Sequence, residues 1–368
     1  MAALLRWART SLRRATSSPL RFPSTGFQTI PASTILEEER FNAFKQGHYY
    51  PVNIGDIFNS TYQVIGKLGY GTTSTVWLAR DLKHDNYVTL KIYTRDQSHT
   101  EEFQIYKHLT HRKSSHPGYK HVRKSLDAFT IPRSGGDHGV LVQKPMWESF
   151  RHLLYQNPSR RFSEDLLKTG LKQVFLALDY LHTECKLVHT DISSDNILLE
   201  IEDSAILDAF TRDEMDNPSP RKLVDGMPVY ASRRFDLPKT FGRAVLSDFG
   251  SAVRGDERRN HECAAGCLSI AGSHIWDLFE GKHMFYGNDP DGKGYSTRAH
   301  LAEVIGMLGP PPLDLLRRGK RSSEFFTEDG RNKEMFLAFI RGMLQWRPED
   351  RKTAKELLQD PWLNHEAE

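Results

Sequence analysis

Apolar residues alternate with polar ones early in the chain. Tyr62-Gln63-Val64-Ile65, Thr75-Val76-Trp77-Leu78 and Val88-Thr89-Leu90 are rich in β-branched and aromatic types, which predicts strands between Tyr62 and Tyr93. Residues 100–109 read as a short helix. Beyond about residue 150 helical spacing dominates. Leu166, Leu167, Leu171, Val174, Phe175, Leu178 and Leu181 mark one helix; Met335, Phe336, Phe339, Ile340, Met343 and Leu344 mark another. A small β-rich first part followed by a larger helical second part predicts an α+β chain in two lobes. Residues 17–36 hold Pro19, Pro23 and Pro31 and read as linker, with folded structure beginning near Tyr49. Residues 201–241 read as a solvated surface excursion.

Composition supports this picture: 38% of residues are hydrophobic and 26% charged, as in a globular protein with a substantial core. The formal charge of +3 is too small to imply a nucleic-acid partner. It is also unevenly placed. Residues 1–36 contain Arg6, Arg9, Arg13, Arg14 and Arg21 and no acid, so the remainder carries +3 − 5 = −2. At helical spacing Arg6, Arg9 and Arg13 face away from Leu4, Leu5, Ala8 and Leu12. Such a segment reads as a mitochondrial transit peptide; a disordered basic tail or a misplaced start codon are the alternatives. Three cysteines, Cys185, Cys263 and Cys267, cannot build a secreted disulfide framework. Cys263, Cys267 and nearby His261 lack the spacing of a structural metal site and read as incidental. No apolar run reaches 18 residues, so no membrane span is expected.

The chemistry concentrates in a few places. Leu68-Gly69-Tyr70-Gly71-Thr72-Thr73-Ser74-Thr75-Val76 has a GxGxxS form between two predicted strands. Glycines let backbone N–H groups approach phosphate without an intervening Cβ. Lys91 follows 22 residues after Gly69 on an apolar strand, where an unpaired ammonium would be costly. Glu102 is the candidate partner and Glu101 the alternative. In His189-Thr190-Asp191-Ile192-Ser193-Ser194-Asp195-Asn196 a carboxylate precedes an amide by five residues. Ser247-Asp248-Phe249-Gly250 then adds a second carboxylate in an Asp-Phe-Gly turn.

These motifs, in this order, resemble the eukaryotic serine/threonine protein kinases, and more narrowly the SR-protein kinases and their fungal relatives. The narrower resemblance rests on Tyr49-Tyr50-Pro51-Val52-Asn53-Ile54-Gly55-Asp56-Ile57-Phe58-Asn59, on Thr75-Val76-Trp77-Leu78, and on threonine at position 190. Leu308-Gly309-Pro310-Pro311-Pro312 and Ser323-Glu324-Phe325-Phe326-Thr327 extend it, so that it covers about residues 40–365. It implies a two-lobed kinase fold, with an extension at 37–61, a smaller lobe at 62–147 and a larger one at 148–368. It implies ATP and Mg²⁺ as cofactors. Leu68, Gly69, Tyr70, Gly71, Ser74 and Val76 would cover the nucleotide, Lys91 would grip its α- and β-phosphates, and Gln143 and Met146 would belong to the adenine hinge. Asp191 would orient the substrate hydroxyl and accept its proton, while Asn196 and Asp248 would bind metal. The implied substrate is serine in an Arg/Ser-rich protein, in mRNA splicing control or related signalling. The enzyme would be a monomer in cytoplasm or nucleus, against the mitochondrial reading of the N-terminus.

Two departures stand out. Ser193 occupies a position that is normally lysine, removing a charge that offsets the transferring phosphoryl group. Residues 251–275 form an atypical activation segment: no Pro-Glu pair occurs between Gly250 and Trp276, and no aspartate between Asp256 and Asp277. Against the family the gap is short by roughly 15–20 residues by spacing of the flanking motifs. Arg351 would then lack its usual glutamate, with Glu262 a possible substitute. A nucleotide-binding pseudokinase scaffold, or an inactive chain from a misjoined exon or faulty gene prediction, are therefore alternatives to an active kinase.

Overall fold

The computed structural model describes residues 17–95, 100–255, 338–345 and 348–364, with Tyr286 and Glu303 as single positions. Residues 1–16, Glu262, Cys263, Cys267 and the runs at 308–312 and 323–327 lie outside the described residues. The chain divides into two compact units. One gathers the described residues up to Arg95, Ser125–Pro145 and Asp203–Leu237; the other gathers Thr100–Lys124, Met146–Glu202 and the described residues from Pro238 onward.

The first unit is built on an antiparallel six-stranded sheet of β1 (Ile57–Phe58), β2 (Tyr62–Tyr70), β3 (Ser74–Asp81), β4 (Asn86–Tyr93), β5 (Ser125–Ile131) and β6 (His138–Gln143), in the order β1-β2-β3-β4-β6-β5. The alternation seen in the sequence decides which face is buried. Trp77 opposes Leu90 and both are buried, whereas their neighbours Val76 and Lys91 oppose each other half-exposed. Val64, Trp77, Val88, Leu90, Val140 and Val142 form the core together with Tyr230 from far along the chain.

Tyr230 belongs to the segment expected to be a solvated excursion, and that expectation is overturned. The segment folds into a helix, Ala205–Asp216, and a hairpin, Arg221–Val224 with Met227–Tyr230. Asp225 and Gly226 turn the hairpin with φ of 50° and 79°, the two-residue geometry that an Asp-Gly pair favours. Tyr230 meets Trp77 edge-on at 5.7 Å. Phe210 lies so close over Gly66 that a Cβ there would sit 2.8 Å from its ring. Leu207, Phe210, Val229, Tyr230 and Phe235 are all buried, enough apolar surface to hold the segment on the sheet despite its charged composition.

The linker reading of 17–36 fails for the same kind of reason. The Ser17 N–H donates to Leu82 O, and Leu20 exchanges two hydrogen bonds of 2.8 Å with the Gln63 side chain. The backbones of Gln28 and Ile30 pair with Arg221 of the hairpin. Folded structure therefore begins well before Tyr49.

In the second unit, α1 (Thr100–His111), α2 (Phe150–Gln156) and α3 (Glu164–Tyr180) accompany short strands. Ser163 caps α3 through the Leu166 N–H, and the predicted apolar stripe of α3 is buried from Leu167 to Leu178. Residues 338–343 are helical, with Phe339, Ile340 and Met343 fully buried and Phe339 5.9 Å from Phe175. The three-stranded sheet of β7 (Met146–Ser149), β9 (Ile197–Glu200) and β10 (Ala244–Leu246), with the pair β8 (Leu187–Val188) and β11 (Val253–Arg254), brackets the loops that hold Asp191, Asn196 and Asp248.

Candidate active site

The loop 189–196 runs between β8 and β9, and the Asp-Phe-Gly turn follows β10, so strand pairing sets the two side by side. The Ser247 N–H donates to Asn196 O at 2.8 Å. Asn196 Nδ2 donates to both Asp191 O (2.9 Å) and Asp191 Oδ2 (3.0 Å), closing the five-residue interval noted in the sequence. Its amide hydrogens are thereby committed, leaving the side-chain oxygen as the atom it can offer a cation. Asp191 is exposed and Asp248 half-exposed. A carboxylate and an amide oxygen are hard donors suited to Mg²⁺.

Below this loop His189 is buried. Its Nδ1 accepts from the Asp191 N–H at 3.3 Å and its Nε2 lies 3.0 Å from Ser247 O. An amide can only donate and a carbonyl can only accept, so the ring is neutral with its proton on Nε2. Burial holds its pKa below the ordinary 6.5, consistent with that state. Thr190 and Asp248 take φ of 64° and 62°, and Thr190 Oγ1 donates to Ser251 O at 2.5 Å. A left-handed β-branched residue is strained, and here the strain sits inside the candidate site.

Glu102 lies 7% exposed on α1, while Glu101 faces solvent. A Cβ on Gly250 would sit 3.3 Å from Glu102 Oε2 and 3.4 Å from Asp248 Oδ1, so the turn leaves room only for glycine without displacement. Phe249 is fully buried, 4.9 Å from the His189 ring and 5.5 Å from the Tyr106 ring. Tyr106 was not singled out from the sequence. Its signal was its place four residues after Glu102, on the same helical face. Met146 is buried at the start of β7. Ser193 is half-exposed within the loop, and Asp195 pairs with Arg151 at 2.7 Å. Arg351 Nε donates to Gln345 O at 2.8 Å.

In the first unit, the glycine-rich segment is the β2–β3 hairpin. Gly69 opposes Val76, Val76 opposes Lys91, and Lys91 opposes Leu141, one row across four strands. Directly opposed residues share a face, so Val76 and Lys91 project together. Leu68 and Tyr70 are half-exposed beside Gly69, and Ser74 is buried at the start of β3. Lys91 Nζ lies 4.8 Å over the Tyr93 ring. Gln143, at the end of β6, is 2% exposed, and its Nε2 has no hydrogen-bond partner among the described residues.

Comparison with known proteins bears on the family and the fold. The protein kinase domain family matches residues 62–232. A serine/threonine protein kinase of Aspergillus fumigatus is 40% identical over 392 residues, covering 95% of this chain and 96% of its own. That alignment is longer than the chain, so the relative carries residues with no counterpart here. The SRPK serine/threonine-protein kinase of Physarum polycephalum is 27% identical over 89% of this chain and 91% of its own. SRSF protein kinase 3 of Mus musculus is 34% identical over 49% of this chain and 32% of its own. A crystal structure of a kinase domain superposes with a TM-score of 0.61 at 17% identity, covering 87% of this chain and all of that one, which supports the fold. The chain belongs to the serine/threonine protein kinase family.

Proposed function

We propose that this kinase uses MgATP to phosphorylate serine in Arg/Ser-rich proteins, in the manner that the names of its SRPK and SRSF-kinase relatives suggest. The observation that carries the reading is the Asp191–Asn196 hydrogen-bonded pair beside Asp248. Bound MgATP would supply the transferable γ-phosphoryl group. Asp191, oriented by Asn196 and exposed, would receive the substrate hydroxyl and its proton. The Asn196 side-chain oxygen and the Asp248 carboxylate would hold the metal. Lys91 would bind the α- and β-phosphates, Glu102 would fix Lys91, and the row Gly69–Val76–Lys91 would set the phosphate-facing edge of the first unit. Gln143 and Met146 would line the adenine end.

Ser193 leaves the loop without the usual cation, so turnover should be slow by family standards. The residues that would position a peptide lie outside the described residues, so transfer itself is the discriminating assay. The full chain is incubated with γ-labelled ATP and an Arg/Ser-repeat peptide. Label on serine is expected, with Asp191→Asn reducing the rate by at least about 10²-fold, as loss of a catalytic base does. Transfer that survives Asp191→Asn sinks the assignment of the base. Equal labelling of a peptide with arginine replaced by alanine sinks the substrate class and leaves the kinase. Binding of MgATP without any transfer favours a pseudokinase scaffold.

A further inference from the structure

The glycine-rich turn is held from outside its own hairpin. Tyr49 lies thirteen residues before β2, and its hydroxyl donates to Gly71 O at 2.6 Å. The Gly71 N–H donates to Ser74 O at 2.8 Å, and Thr73 O accepts from the Thr94 N–H at 2.9 Å. The phenol is 4% exposed, and burial together with Glu38 pushes its pKa up to about 12, so it remains a donor at working pH. Its ring is fixed independently of the hydroxyl. It packs in a cluster with Phe44 and Val229, 5.9 Å from the Phe44 ring. The neighbouring Tyr70 is flanked from the same side by Phe41 at 6.1 Å and by the Arg40 cation at 5.4 Å.

We propose that Tyr49 is a positioning residue for the glycine-rich turn, holding Gly71 in the conformation that receives the nucleotide's phosphates; this rests on the nucleotide reading above. A turn with two glycines is among the costliest pieces of backbone to order. Fixing its tip before the ligand arrives removes that cost from binding. Only the phosphate end of the ligand should sense the clamp, because the adenine end is expected elsewhere.

Tyr49→Phe keeps the packed ring and deletes the hydroxyl. The full chain is compared with the variant by hydrogen exchange of residues 69–74 without nucleotide, and by affinity for MgATP and for adenosine. Expected are faster exchange in the turn, MgATP bound about 3–10-fold more weakly, as loss of one net hydrogen bond allows, and adenosine bound equally well. Unchanged exchange at 69–74 overturns the clamp. Equal weakening of MgATP and adenosine overturns its action on phosphates. Should the parent chain bind no MgATP, the nucleotide reading and the phosphate-positioning role both fall, while the exchange arm alone reports whether the tether exists.

Discussion

Lys67 is the most exacting test of how the first unit is held together. Its ammonium has no exposure and reaches three oxygens: Glu37 Oε2 at 2.8 Å, Tyr230 O at 2.9 Å, and Glu38 Oε2. Glu37 and Glu38 have side chains only 14% and 6% exposed. Lys67→Met preserves the stem and removes the charge, leaving two carboxylates facing each other. Removing one partner of a buried ion pair costs about 3–5 kcal/mol, a large share of a domain's ~5–15 kcal/mol. The loss should depend on pH. Burial raises the Glu38 pKa above the ordinary 4.5 even with Lys67 present. Without Lys67 it should rise further, so the folded variant takes up a proton that the unfolded chain does not. Acidification then favours the fold, and the deficit narrows as pH falls from 8 toward 5, by at most ~1.4 kcal/mol per pH unit per proton. Hydrogen exchange of the β2–β4 amides isolates this unit from the rest of the chain. A deficit under about 1 kcal/mol that does not change with pH would refute the reasoning, as would failure of Glu38→Gln to relieve it in the double variant.

Two further outcomes follow from buried polar groups. His121, His138 and His189 are 1–3% exposed or fully buried, and burial lowers the pKa of each below 6.5. Their contribution to stability is therefore complete above pH 6.5 and is lost as pH falls below it, because the unfolded chain then binds protons that the fold refuses. Tm should decline from pH 7 to 5.5, with a shallower decline in His138→Gln; a flat profile contradicts this. Gln143 Nε2 and its cross-strand neighbour Thr89 Oγ1 are buried without hydrogen-bond partners among the described residues. Gln143→Leu should stabilise the nucleotide-free protein by about 1 kcal/mol in urea unfolding, and a comparable loss instead would mean that the amide is satisfied.

The parts legible in the sequence were those whose cause is local. Strands β2 to β4 announced themselves by alternation, and the five-residue interval from Asp191 to Asn196 was visible too, although the hydrogen bond that closes it was seen only in the fold. Spacing allows either Glu101 or Glu102, with Glu102 preferred in the sequence; in the fold Glu102 is buried beside Gly250 and Glu101 faces solvent. The insertion was misread because its charged residues outweigh its few apolar ones in composition, and residues 17–36 because their prolines and small polar residues read as linker. What folds them is a sparse set of anchors, such as Phe210 on Gly66 and Tyr230 on Trp77, whose partners lie more than a hundred residues away. A capped helix can be read from its own residues; an anchor can be read only when its receptor is known.

Those misread segments form a closed circuit around the strand that ends in the glycine-rich turn. Glu37 accepts from the Ser232 N–H and hydroxyl, Glu39 pairs with Lys222 at 2.8 Å, and Lys67 O accepts from the Arg233 N–H. Lys67 precedes Gly69 by two residues, so the N-terminal segment and the insertion meet next to the glycine-rich hairpin. The protein kinase domain match starts at Tyr62 and ends at Ser232, leaving residues 17–61 outside it. The Aspergillus kinase leaves only 5% of this chain uncovered, fewer residues than 17–61 contain, so most of that segment falls within the alignment. The circuit thus joins residues before the kinase domain match to the insertion, most of which lies inside that match. Its physical effect is to tie the strand that leads into the glycine-rich turn both to residues before the kinase domain match and to the insertion.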